Sequence, residues 1–161
     1  MMTDVKPIQR SVRVALDPGR AFELFTARME SWWPVDTHSR AATEFDDDEV
    51  HAVGVEFQGR VGGHVLERMS DGRVLPWAEI VGWDPPNGFV MAWKPHSRPQ
   101  PPTEVEVRFV DDGKGGTVVE LEHRAWDRLS EPIAPELYAN YAGGWVKTLE
   151  AFAAGAEREV A

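Results

Sequence analysis

The chain has 161 residues and a formal net charge of -10, with an isoelectric point near 4.9. That balance repels phosphate backbones and anionic lipid heads and argues against nucleic-acid or membrane-surface roles. It has no cysteine, which excludes disulfides, thiolate metal sites and a cysteine nucleophile. The length fits one domain over 1–161 with its core at about 8–154, burying roughly 70% of the unfolded surface. With no signal-like N-terminus and no run near the roughly 18 apolar residues of a membrane span, the expected location is the cytoplasm.

Ile8 to Leu16 alternates, with Val12, Val14 and Leu16 opposite Arg13, and predicts a first strand. Asp17-Pro18 then supplies an N-cap and a first-turn proline ahead of the apolar stripe Ala21, Phe22, Leu24 and Phe25, a short helix. Trp32-Trp33-Pro34 stops any further helix, and the acidic run Asp46 to Glu49 predicts a solvated loop rather than a calcium site, because it lacks the ligand spacing and glycine of an EF-hand. Strands follow at Val53 to Phe57, His64 to Met69, Leu75 to Trp83 and Phe89 to Trp93, punctuated by glycine- and proline-bearing turns. Past the proline-rich loop Pro95 to Pro102, Glu104 to Val110 and Thr117 to Trp126 form a hairpin about Asp111 to Gly116. In that hairpin Val105, Val107 and Phe109, with Val119, Leu121, His123 and Ala125, fall on one face, and the charged residues Glu104, Glu106, Arg108, Glu120, Glu122 and Arg124 on the other.

The last long segment, Pro135 to Phe152, places Leu137, Tyr141, Trp145, Leu149 and Phe152 on one helix face, with Glu136, Asn140, Lys147 and Glu150 opposite. The sheet is the partner that such a ring-rich face needs. Gly143-Gly144 interrupts it at a cost of about 1 kcal/mol per glycine relative to alanine, so the pair marks either a close backbone approach or an empty space beside Trp145. His123 is the polar residue of the apolar sheet face, either a satisfied core histidine or a proton-transfer group. Glu67 and Glu79 each alternate with apolar neighbours, which makes inward placement plausible for both, as a partner of His123 or as ties for a neighbouring strand.

Seven tryptophans supply large rings with a single N–H handle, suited to a core or to a pocket wall. The five histidines are scattered without H-x-H or H-E-x-x-H spacing, so no metal and no cofactor is expected. Gly59-Arg60-Val61-Gly62-Gly63 joins two strands and opens no helix, which makes it a turn and not a phosphate cradle.

Several of these stretches together resemble one family. Trp32-Trp33-Pro34, Gly59 to Gly63, Glu67-Arg68, Trp83-Asp84-Pro85-Pro86, Trp93, Thr103 to Phe109, Glu120-Leu121-Glu122-His123 and Gly143-Gly144-Trp145 are similar to bacterial single-domain SRPBCC/START-like proteins of the kind named as homologues of the activator of heat-shock-protein-90 ATPase. The resemblance runs from about Val12 to Phe152. It implies an α+β helix-grip (Bet v 1-like) fold: a curved antiparallel sheet of about seven strands, two short helices after the first strand, and a long C-terminal helix across the concave face, with a cavity between. It also implies a hydrophobic ligand, since the superfamily includes lipid carriers, hormone receptors, polyketide cyclases and self-resistance proteins, while transferring no catalytic residue.

The expected function is binding of a small apolar or aromatic molecule, lined by Trp93, Phe109, Leu121, His123, Tyr141 and Trp145, with Trp33 at the mouth. The alternatives are a cyclase-, hydratase- or hydrolase-like enzyme using His123 with Glu67 or Glu79, and a domain that stimulates a chaperone ATPase. A homodimer is left open, because a strand edge or Trp32-Trp33 offers a pairing surface.

Overall fold

In the computed structural model, residues 6–34, 51–94, 101–129 and 134–160 are described. The acidic run Asp46 to Glu49 and positions 95–100 of the proline-rich loop lie outside them. Seven antiparallel strands form one sheet in the order β1-β7-β6-β5-β4-β3-β2, curling as a half-barrel. They are β1 (Ile8–Val14), β2 (Ala52–Phe57), β3 (His64–Met69), β4 (Val74–Asp84), β5 (Gly88–Trp93), β6 (Thr103–Asp111) and β7 (Thr117–Arg124). Helix α1 (Pro18–Phe25) and a 3-10 turn (Met29–Ser31) follow β1, and a second 3-10 turn (Trp126–Arg128) precedes the long helix α2 (Ala134–Val160). This is the helix-grip fold.

Helix α1 starts as its sequence dictates. The Asp17 carboxylate accepts from the Arg20 amide at 2.8 Å, Pro18 occupies the first turn, and Ala21, Phe22, Leu24 and Phe25 are buried. Phe22 and Phe25 meet Phe89 and Phe109 at centroid separations of 5.1–6.2 Å among the four rings, a phenylalanine cluster under α1.

The β6–β7 hairpin has the predicted faces. Val105 pairs with His123, Val107 with Leu121 and Phe109 with Val119, all six buried. On the outer face Arg124 bridges Glu104, Glu106 and Glu122, and Arg108 lies 3.5 Å from Glu120. These pairs hold their guanidinium and carboxylates in register, at the modest energies of partly exposed ion pairs.

Two boundaries differ from the sequence expectation. Strand β7 ends at Arg124, not Trp126, because Ala125 takes a left-handed conformation (φ 68) that turns the chain into the 3-10 segment. Helix α2 runs on past Phe152 to Val160, because Ala153, Ala154 and Ala156 favour helix and Gly155 lets it close on Trp32. A Cβ at Gly155 would stand 2.9 Å from that of Trp32. At its other end α2 is tied to β1, where the Arg10 guanidinium donates to the Ala142 carbonyl at 3.0 and 3.2 Å, and Tyr138 donates to Lys6 O at 2.9 Å.

Strand β4 corrects one expectation. Glu79 points outward, with a half-exposed side chain 3.9 Å from His64. Register shifts leave Trp77 and Val81 as extra residues on β4, facing no single partner on β3 and β5 respectively. Each bulge reverses the alternation, so Trp77 and Trp83 turn inward while Glu79, between buried Ala78 and Ile80, does not.

Candidate functional site

Three strand ends and the first half of α2 converge on a ring-lined interior. Trp93 closes β5, Thr103 opens β6, His123 stands near the end of β7, and Tyr141 and Trp145 project from α2 one turn apart. Trp93 lies 5.3 Å from Trp145, 6.2 Å from Tyr141 and 6.5 Å from His123 between ring centroids. Trp77, 6.2 Å from Trp93, and Trp33, 4.9 Å from Trp77, extend the wall toward β3.

His123 has no exposed surface. The Trp145 indole donates to its Nδ1 at 2.9 Å, and its Nε2 is 2.7 Å from the Thr103 hydroxyl. An indole can only donate, so Nδ1 is the unprotonated nitrogen and the hydrogen sits on Nε2. The Thr103 hydroxyl is then free to donate onward to the Trp93 carbonyl at 3.3 Å. The imidazole is neutral, and burial pushes its pKa down to about 3. Its backbone carbonyl accepts from the Trp126 indole at 3.0 Å. With both ring nitrogens engaged, His123 is built to hold Trp145 and Thr103 in place; proton transfer from it would first require breaking one of these bonds.

Glu67 is the second buried polar group, inward on β3 without exposed surface. The Trp77 indole donates to its Oε2 at 2.7 Å. The third wall indole, Trp93, donates to the Tyr141 hydroxyl at 2.9 Å.

Of the residues expected to line a ligand site, Trp93, His123, Tyr141 and Trp145 come together, and Trp33 joins them through Trp77. Leu121 is buried on β7, two residues before His123. Phe109 stands apart in the phenylalanine cluster under α1. Thr103 and the Trp77–Glu67 pair complete the group. Thr103 was open to recognition, because it continues the inward alternation Val105, Val107, Phe109.

The glycine pair separates from close packing. Among the described residues, a Cβ at Gly143 or Gly144 meets nothing within 4 Å, in contrast to Gly155. Gly144 is half-buried and sits one turn before Thr148, whose side chain is fully buried and donates to the Gly144 carbonyl at 3.0 Å. Leu137, Tyr138, Tyr141 and Ala142 are likewise only half-buried, whereas Leu149, Phe152 and Ala156 are fully buried. The first half of α2 is therefore less buried than the second, and open space adjoins Gly144, while the rings of Trp93 and Trp145 beside it are themselves buried.

A different concavity, about 230 Å³, lies over β1, β7 and β6, lined by Gln9, Arg10, Ser11, Arg108, Glu120 and Leu121. Its lining is mainly polar and charged. Among the described residues no group of three or more His, Asp or Glu could hold a metal ion, and no helix is long and apolar enough to cross a membrane.

Comparison with known proteins places the chain. The family model for Activator of Hsp90 ATPase homolog 1-like protein, AHSA1, matches residues 15–157. The chain belongs to the AHSA1 family. An AHSA1-like match of this extent carries the helix-grip fold and a ligand-binding domain in general. Among solved structures, the anthrahydroquino-gamma-pyrone synthase Txn09, complexed with SUM, is 33% identical, with 86% of this chain and 88% of that chain covered and a TM-score of 0.55. The self-sacrificing resistance protein CalC from Micromonospora echinospora is 23% identical over 95% of each chain, with a TM-score of 0.61. The Aha1 dimer from Colwellia psychrerythraea is 13% identical over 91% of this chain and 92% of that one, at 0.58. These last two share the fold. No curated protein matches.

Proposed function

We propose that this AHSA1-family protein binds a small planar aromatic molecule between the concave sheet and the first half of α2, with its ring against Trp93, Tyr141 and Trp145. The observation that carries the reading is the open space beside Gly144, next to a wall of rings in which the indoles of Trp77, Trp93 and Trp145 are bonded to Glu67, Tyr141 and His123. A site mostly of ring faces with a few placed polar groups suits a flat apolar ligand. The relative at 33% identity, a synthase named for an anthrahydroquinone-pyrone, agrees in ligand class.

Filling the space tests it. Gly144→Ala raises stability by about 1 kcal/mol in urea unfolding, the helix propensity gain where no contact opposes it. Gly144→Leu keeps the fold and weakens anthraquinone binding, followed by quenching of tryptophan emission, by at least about tenfold, the equivalent of roughly 1.4 kcal/mol. Unchanged affinity in the leucine variant would place the ligand elsewhere.

Catalysis on such a ring system is a second reading, favoured by the synthase name of that relative. The inward His123–Glu79 pair has no support, because Glu79 faces outward, and His123 is bonded at both nitrogens. Glu67 is the buried carboxylate that remains for it. The family name alone supplies the chaperone-stimulating alternative.

A further inference from the structure

Trp93 and Trp145 are buried, so a ring reaches their faces only when an element beside them moves. We propose that α2 is hinged at Gly143-Gly144, and that its first part, 134–142, is a flap that swings off the sheet while 145–160 stays. As an entry route the flap rests on the ring-binding reading; as a hinge it is a property of the ligand-free chain. From Pro135 to Gly144 every residue is exposed or half-buried, and Trp145 is the first that is fully buried, followed by Thr148, Leu149, Phe152 and Ala156. The boundary falls at the glycine pair.

The two parts are held differently. Phe152 packs on Phe25 and Trp32 at 5.0 and 5.2 Å between centroids, Gly155 closes on Trp32, and Arg28 pairs with Glu159. Those rings fix the second part in the core, and the Trp145 indole bond to His123 ties its start to β7. In the first part the Tyr138 hydroxyl donates to the Lys6 carbonyl and the Tyr141 hydroxyl accepts from the Trp93 indole, both at 2.9 Å, while the two rings meet Trp126 and His123 edge-on. Water replaces each hydroxyl partner when the flap lifts, so these bonds hold it only weakly.

The backbone between the parts is prepared for a bend. Helices bend sharply at glycines and where a side chain enters the hydrogen-bond ladder, and both conditions meet here. The Arg10 guanidinium donates to the Ala142 carbonyl at 3.0 and 3.2 Å, and the Thr148 hydroxyl to the Gly144 carbonyl at 3.0 Å. In a regular helix these carbonyls accept from the amides four residues on. Each keeps a side-chain donor when that bond stretches, so bending leaves neither without a partner. Arg10 belongs to β1 and Thr148 to the fixed part, so both donors stay in place. A Cβ at either glycine meets nothing within 4 Å among the described residues, so close packing does not require the pair, and what it supplies is freedom of φ and ψ.

Hydrogen exchange in the ligand-free native protein tests the hinge, because one indole bonds the flap and another the fixed part. The Trp93 indole hydrogen is expected to exchange at least about tenfold faster than that of Trp145, through a local opening that low urea does not accelerate. Stopped-flow tryptophan emission with anthraquinone tests the entry route. Gly143→Ala, at an exposed position, disfavours the bend and slows association and dissociation alike by about fivefold, with affinity within about twofold. Tyr138→Phe removes the tie to Lys6 and speeds both rates by at least about twofold. Equal exchange of the two indoles overturns the hinge whether or not anthraquinone binds. Binding rates unchanged in both variants overturn the flap as the entry route. Faster exchange at Trp93 without any binding of anthraquinone supports the hinge and overturns the ring-binding reading together with its entry route.

Discussion

Acidification from about pH 6.5 to pH 3 removes up to about 5 kcal/mol of stability through His123 alone. The sign follows from the depressed pKa. Above 6.5 the imidazole is neutral in both states and contributes nothing to the pH dependence. As pH falls below 6.5 the unfolded chain takes up a proton that the folded chain refuses until about 3, so stability drops by about 1.4 kcal/mol per pH unit across that window. Against a typical total of about 5–15 kcal/mol, the loss by pH 3 is a large fraction of the stability of the fold.

The carboxylates Asp71, Asp112 and Glu122 also have lowered pKa values, held down by backbone and side-chain hydrogen bonds, and weaken the fold at lower pH. His123→Gln isolates the imidazole, because its amide can still accept from Trp145 and donate to Thr103. Urea unfolding near pH 7 and about pH 4.5 is expected to show a drop smaller by about 2–3 kcal/mol in the variant than in the native protein. Identical drops would mean that His123 is not the buried neutral acceptor described.

Removing a ring separates the wall from the rest of the core. Trp93→Leu is expected to cost about 3 kcal/mol, from lost ring contacts and the unfilled volume between Trp77, His123, Tyr141 and Trp145, and to weaken anthraquinone binding by at least about 100-fold. Phe109→Leu is also destabilising, by about 1–3 kcal/mol, yet leaves binding within about threefold. Equal loss of binding in both variants would return Phe109 to the ligand wall, where its place in the β6 alternation first put it.

That contrast shows where sequence alone sufficed. The faces of β6 and β7 were legible because unbroken alternation fixes them, and the same rule placed His123 inward. It failed at Glu79, because the bulges at Trp77 and Val81 shift the parity twice within one strand, and a bulge leaves no mark on a pattern of side chains. The fate of Gly143-Gly144 was open for a different reason. Two glycines cost a helix the same whether they permit close packing or leave a space, and only the surroundings decide, as the opposite outcome at Gly155 shows. The partners of the indoles were equally hidden, since which acceptor each N–H finds depends on strand register: His123 next to Val105, and Thr103 next to Trp93. The helix-grip fold itself was legible from the order of elements and the family resemblance.

The most direct measurement is a two-dimensional amide and indole N–H spectrum of the native protein as anthraquinone is added. Binding between the sheet and α2 predicts shifts at the backbone amides of Gly143 and Gly144 and at the indole N–H signals of Trp77, Trp93 and Trp145. Shifts confined to Gln9, Ser11, Arg108 and Glu120, which line the outer cleft, would contradict it.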